Sequence, residues 1–287
     1  AQAVAEGESI GILTDYDVDG ITSHVVIRRT LVELFGVPEH KLHSLIGHRI
    51  HDGYGISLPL VERTLSLKPL PTLVITADCG SSDEPRIARL KAAGIDVVVH
   101  LAAFTGEDID SWEGNLSSNI IGPYNVYEAA RLAGVKRVIF ASSGNAIRGF
   151  ANVEPYKAIA EGRYDDVPKD LEKITHEQVR PEGVYGAAKI WGEALGRHFS
   201  DVYGLSVLCV RIGAVRPEDH PANIHEYSVY LSHGDVVQML QKCIDAPDDL
   251  KYDIFFALSD NKWGYRDLEH PREVIGFVPQ DSVDVFR

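Results

Sequence analysis

Seven short runs rich in β-branched and apolar residues alternate along the chain with longer stretches of helical periodicity. They are SIGILTD from Ser9, KLHSLIG from Lys41, TLVITAD from Thr72, DVVVHLA from Asp96, RVIFASS from Arg137, LSVLCVRIG from Leu205 and YDIFFALS from Tyr252. Runs that are apolar at nearly every position suit strands buried on both faces, and strands alternating with helices suit a parallel sheet with crossovers on both sides. The intervening stretches, such as SHVVIRRTLVELFG, EPRIARLKAAG, NIIGPYNVYEAARLAG and AAKIWGEALGRHFSDVYG, end in Gly, as helix C-termini often do. They fit right-handed crossovers. The expected architecture is α/β: one three-layer, doubly wound domain over residues 1–287 with a continuous, mostly parallel, seven-stranded sheet. Between Phe150 and Gly183 the pattern gives way to a polar, Pro-containing excursion, too long for an idle connection and expected as a substrate-side insertion or flap.

Bulk properties narrow the function. Of 287 residues 45% are hydrophobic, enough for a substantial core. The net charge of −14 is spread along the chain without a basic face, which argues against a nucleic-acid groove. Cys79, Cys209 and Cys243 are too few and too scattered for a disulfide framework or a CxxC metal site, so a reducing, cytoplasmic setting is expected. No apolar run approaches the roughly 20 residues that span a bilayer, and no leader is expected.

LTDYDVDGITS, residues 13 to 23, sets Asp15, Asp17 and Asp19 at the end of the first strand, and Asp78 ends the third strand in TADCGSSD. The C-terminal ends of parallel strands open on one edge, where sites are built. If the first and third strands are neighbours, their carboxylates converge, and such hard oxygen ligands suit Mn²⁺ or Mg²⁺. A solvated turn with an Asp cap would also carry a DG pair. These segments, together with GHRIHDGYGIS, resemble the DHH phosphoesterases, most closely the RecJ-type exonucleases, over residues 8–99. The resemblance implies metal-ligand positions at Asp15, Asp17 and Asp78, and places Arg49 and Gly53-Tyr54-Gly55 in the second-strand signature. After DVVV that family carries an Asp-His-His run. This chain has HLAA, and His100 is expected as a strand-end residue with a local hydrogen bond rather than as a replacement ligand.

VYGAAK sets Tyr185 and Lys189 four residues apart, on one face of a helix. A phenol is a poor base at neutral pH, and a neighbouring ammonium favours its phenolate. Alone, the spacing equally suits a surface pair, but VIFASSG puts Ser142 and Ser143 at a strand end where a hydroxyl can bind a substrate oxygen. VVVHLAA, SSNIIGPYNVYEAARLAGVKRVIFASS, VYGAAK and VLCVRIGAV resemble consecutive blocks of the extended short-chain dehydrogenase/reductases, the NAD-dependent epimerase and dehydratase group. The tail FFALSDNKWGYRDLEHPREVIGFVPQDS resembles uronate dehydrogenases. The resemblance implies NAD-dependent oxidation of a sugar C1 hydroxyl. Ser143 then orients substrate, Tyr185 is the base, and Lys189 holds the ribose and lowers the tyrosine pKa. Asn119 supports the proton relay, Arg211 faces substrate, and the helix bearing Tyr185 is a homodimer surface. The GxxGxxG that holds the pyrophosphate in that family is absent from the first turn.

The two resemblances meet at GIDVVVHLAA, so residues 1–99 and 100–287 are expected to derive from different α/β folds by engineered recombination. The first segment should impose its own strand order, giving 2-1-3-4-5-6-7. An extra strand then lies between the first strand and the HLAA strand, moving Ser143 and Tyr185 about 4.8 Å from their usual place relative to the first strand. Three functions are expected in this order: a chimera without efficient activity, an NAD-dependent sugar or uronate oxidoreductase, and a metal-dependent phosphodiesterase.

Overall fold

A computed structural model describes residues 8–14, 18–34, 36–48, 58–77, 97–105 and 108–286. Its strands are β1 (Ile10–Thr14), β2 (Leu42–Ile46), β3 (Leu73–Ala77), β4 (Val97–His100), β5 (Arg137–Ser143), β6 (Ser206–Ile212) and β7 (Tyr252–Ala257). They form one seven-stranded sheet in the order β2-β1-β3-β4-β5-β6-β7, and each neighbouring pair is parallel. All seven runs read from the sequence are strands, in the expected order. The predicted helix EPRIARLKAAG lies outside the described residues.

The helices are α1 (Val18–Arg29), α2 (Leu58–Leu65), α3 (Gly122–Ala133, preceded by the turns Trp112–Gly114 and Asn115–Ile121), α4 (Tyr156–Ala160), α5 (Gly183–Tyr203), α6 (His233–Ile244) and α7 (Glu269–Ile275). Alternate strand residues point to opposite faces. Val138 and Phe140 of β5 and Val207 and Cys209 of β6 therefore pack with α3 and α5. Ile139, Leu208 and Val210 pack on the other face with Met239 and Cys243 of α6 and Ile275 of α7. On β1 the same alternation sends Ile10 and Ile12 toward Leu31 and Val37, and Leu13 toward Leu60 and Val61 of α2.

Two features bear on the contact between β3 and β4. Among the described residues β3 and β4 share a single register pair, Thr76 with His100, where β5 and β6 share seven. Helix α3 spans that junction: Ala129 belongs to the core cluster of Leu13, Leu45 and Val74, while Val126, Tyr127 and Ala130 join the core of β5 and β6.

The excursion between Phe150 and Gly183 is packed in place. Ile159 and Ile174 share a core with Phe256, Leu258 and Tyr265, and Phe150, Tyr156 and Tyr164 close around it. Ile174 donates to Tyr265 O at 2.8 Å and accepts from Asp267 N at 2.9 Å, so this segment is tied to the chain leading into α7.

Candidate active site

The C-terminal end of β5 and the first turns of α5 build the site. Gly183 opens α5 with φ of 75°, and a Cβ there would lie 2.3 Å from Asp110 Oδ1. That carboxylate accepts a 3.1 Å hydrogen bond from Tyr185 N and so holds the first turn. At Gly186 a Cβ would lie 2.5 Å from the carbonyl oxygen of Asn145, so only glycine lets α5 approach the turn that follows Ser143. Sequence and packing together bring Tyr185 to Ser143.

Tyr185 is 8% exposed. Burial raises its pKa, and a hydrogen bond from the Ser143 hydroxyl acts in the opposite direction. Ser143 Oγ also accepts from Asn145 N at 3.1 Å. Lys189 lies one turn along α5, buried, with Nζ donating to Ala141 O at 2.8 Å. Its Nζ is 5.5 Å from the centre of the Tyr185 ring and 5.2 Å from that of Phe140. Burial brings the Lys189 pKa down to about 8, with Glu193 opposing the shift. The expected lowering of the tyrosine pKa by Lys189 is not seen. Burial outweighs the Ser143 hydrogen bond and raises the pKa.

Arg211 and Asn119 are both buried and hydrogen-bonded to the protein. Arg211 is buried and forked onto Glu193, with Nε 2.8 Å from Oε1 and Nη2 2.9 Å from Oε2, while Nη1 donates to Gln178 O. Ser142 donates to the same Glu193 at 2.5 Å. The carboxamide of Asn119 accepts from Phe104 N, donates to Phe104 O and donates to Asn115 Oδ1, fastening the chain after β4. Glu193 and Asp110 were missed in the sequence. Glu193 follows Lys189 by four residues and so shares its helix face, a usable signal; Asp110 carries none.

Two buried histidines flank the strand ends. His24 of α1 is 3.1 Å by Nδ1 from the hydroxyl of Thr14, the last residue of β1. His100 ends β4, and burial, reinforced by Lys189, brings its pKa down to about 3. Burial and then Arg28 lower that of His24. Each has a buried Nε2 with no hydrogen-bond partner. Neutral imidazoles with an unpaired nitrogen at the ends of β1 and β4 suit a ligand rich in hydroxyl or phosphate oxygens, which a dinucleotide is. The expected metal ligands Asp15, Asp17 and Asp78, with Arg49 and Gly53-Tyr54-Gly55, lie outside the described residues; Asp19 is in the first turn of α1.

Residues 60–224 match the model of the NAD dependent epimerase/dehydratase family. The chain belongs to that family. The match opens ahead of the junction at DVVVHLAA, inside the segment expected to be phosphoesterase-like. A uronate dehydrogenase of Pseudomonas putida is 32% identical over 209 residues, 73% of this chain and 69% of that protein. The crystal structure of a mutant uronate dehydrogenase from Agrobacterium tumefaciens, complexed with NAD, has a TM-score of 0.65 at 25% identity, covering 98% of this chain and 88% of that one. A further similarity, 32% over 98 residues, is to the single-stranded-DNA-specific exonuclease RecJ of Thermus thermophilus. It covers 34% of this chain and 14% of the exonuclease. Among the described residues no helix is long and apolar enough to cross a membrane.

Proposed function

We propose that this chain oxidises the C1 hydroxyl of a sugar or uronate with NAD. The observation that carries the reading is the Ser143–Tyr185 hydroxyl pair at the end of β5 beside the buried Lys189. When bound, NAD supplies the hydride acceptor. Lys189 would hold its ribose oxygens. Ser143 donates to the substrate oxygen and fixes the alcohol. Tyr185, once deprotonated, takes the hydroxyl proton, with the buried Lys189 Nζ 5.5 Å from the centre of its ring on the same helix face. General-base catalysis of this kind contributes on the order of 100-fold or more. The test is NADH formation with a panel of aldoses and uronates, with Tyr185→Phe expected to lose at least about 100-fold in kcat. Unchanged turnover in that variant would overturn the assignment.

A second reading follows from the sheet order. With β3 between β1 and β4, the strand order reverses one strand farther from β5 than in the 3-2-1-4 dinucleotide fold. The cofactor crevice is then displaced by about 4.8 Å from Tyr185, and positioning errors of about 1 Å can lower rates 100-fold. Together with the RecJ similarity, this supports a recombined chain that binds NAD but turns over slowly. Calorimetry separates the readings: NAD binding without NADH formation favours the second. The acidic turn is retained as a proposed Mn²⁺ or Mg²⁺ site, tested by Mn²⁺-stimulated phosphodiester hydrolysis that Asp78→Ala abolishes. The exposed Trp191 on α5, beside exposed Trp112, supports pairing with a second copy, and Trp191→Glu should convert a dimer to monomer in light scattering.

A further inference from the structure

We infer that His176, Asp253 and His270 bind a divalent transition metal, with zinc the best match to the donors. A ring nitrogen from each histidine and a carboxylate oxygen of Asp253 all lie within 4.8 Å of one another. The residues come from three separate parts of the chain: the excursion before α5, the start of the edge strand β7, and the first turn of α7. His270 Nε2 is 2.7 Å from Asp253 Oδ1, and the rings of His176 and His270 stack with centroids 3.8 Å apart.

Two observations favour a metal over a simple hydrogen-bonded pair. First, His176 has a buried Nδ1 with no hydrogen-bond partner, and an imidazole left this way gains from a Lewis acid. Second, the cluster borders a cavity of about 520 Å³ walled also by Glu193, Arg211 and Tyr252, which leaves room for a water in the fourth position. Two imidazoles and one carboxylate with an open position form a recognised zinc donor set, whereas Mg²⁺ and Ca²⁺ favour oxygen ligands. An ion with bonds of about 2.1 Å would part the His270 and Asp253 donors to roughly 3.3 Å, a small side-chain rotation. Bound there, it would clip the edge strand to α7 and to the excursion.

The test is calorimetric titration of the chelator-stripped chain with Zn²⁺, together with Co²⁺ titration read by visible absorption. One ion per chain and a raised Tm are expected, with a Co²⁺ spectrum of low coordination number. His270→Gln and Asp253→Asn should each weaken binding more than about tenfold, the loss seen even for groups outside the ligand set. The Asp15→Ala/Asp17→Ala/Asp78→Ala variant should keep this site. Should the β7 and α7 variants fail to fold, His176→Asn with unchanged circular dichroism serves instead and must also weaken binding. Zn²⁺ affinity unaltered in that variant, or no binding at millimolar Zn²⁺, overturns the inference.

Discussion

Lys189 is the residue at which chemistry and stability pull in different directions. Its ammonium sits in a buried place between the rings of Tyr185 and Phe140, and its pKa of about 8 lies below the 10.5 of an unperturbed lysine. Between those values the unfolded chain binds more protons than the folded one, so stability rises with pH across that window. The strain is fully present below pH 8 and relieved above 10.5, a difference on the order of 3 kcal/mol. Lys189→Met is therefore expected to raise Tm at pH 7, to flatten the pH dependence of stability relative to the parent chain, and to abolish turnover. Thermal melts of both chains from pH 7 to the alkaline limit of folding check this. Arg211 behaves in the opposite sense. Arg211→Met leaves the Glu193 carboxylate buried without its partner, and a loss of about 3–5 kcal/mol is expected in denaturant melts. The juxtaposition of Ser143, Tyr185 and Lys189 was legible because the strand-end serines and the family resemblance stood beside the helical spacing, and all three depend on one strand end and one helix face. Arg211 was legible as a buried-strand residue but not in its role. Its partner lies on another element, and only the packing of α5 on β6 brings Glu193 under its guanidinium.

At the scale of elements, the register of α5 against β5 decides whether the hydroxyls meet. The helix approaches through residues without side chains, and its first turn is held by a carboxylate from the segment before α3. Gly183→Ala demands a left-handed φ from a residue with a Cβ, which disfavours it by roughly 1–2 kcal/mol, and drives that Cβ onto Asp110. The expected result is a lower Tm and a fall in kcat larger than the change in KM, since Tyr185 shifts while the substrate surface does not. A variant with unchanged kcat would show that the Asp110 anchor is dispensable. The sequence revealed the helix and its Tyr-Lys face. It did not reveal the anchor, because an aspartate in a polar turn has the same appearance whether or not a helix N-terminus is packed above it. The excursion from Phe150 to Gly183 was read as an insertion from its polarity and length. Its aromatic residues, scattered in sequence, form a core only once β7 and the chain before α7 are in place.

At the scale of the whole molecule, the strand order was legible because β1 to β3 carry their own helices and β4 to β7 carry theirs. The strength of the joint between the two groups was not, since it depends on how many residues of β3 and β4 run side by side. Among the described residues one register pair, Thr76 with His100, joins them. Two separate cores lie on β1 to β3, and among the described residues Ala129 of α3 belongs to one of them. Cooperativity between blocks requires shared burial, and blocks joined by a narrow ladder open separately. Residues 8–77 are therefore expected to lose amide protection together, at lower denaturant than residues 137–257, in hydrogen-exchange mass spectrometry. Ala129→Gly should widen the gap between the two transitions by removing the methyl that α3 lends to the first core, while leaving the second transition nearly in place. Coincident transitions in the parent chain would mean that the joint between β3 and β4 carries full cooperativity.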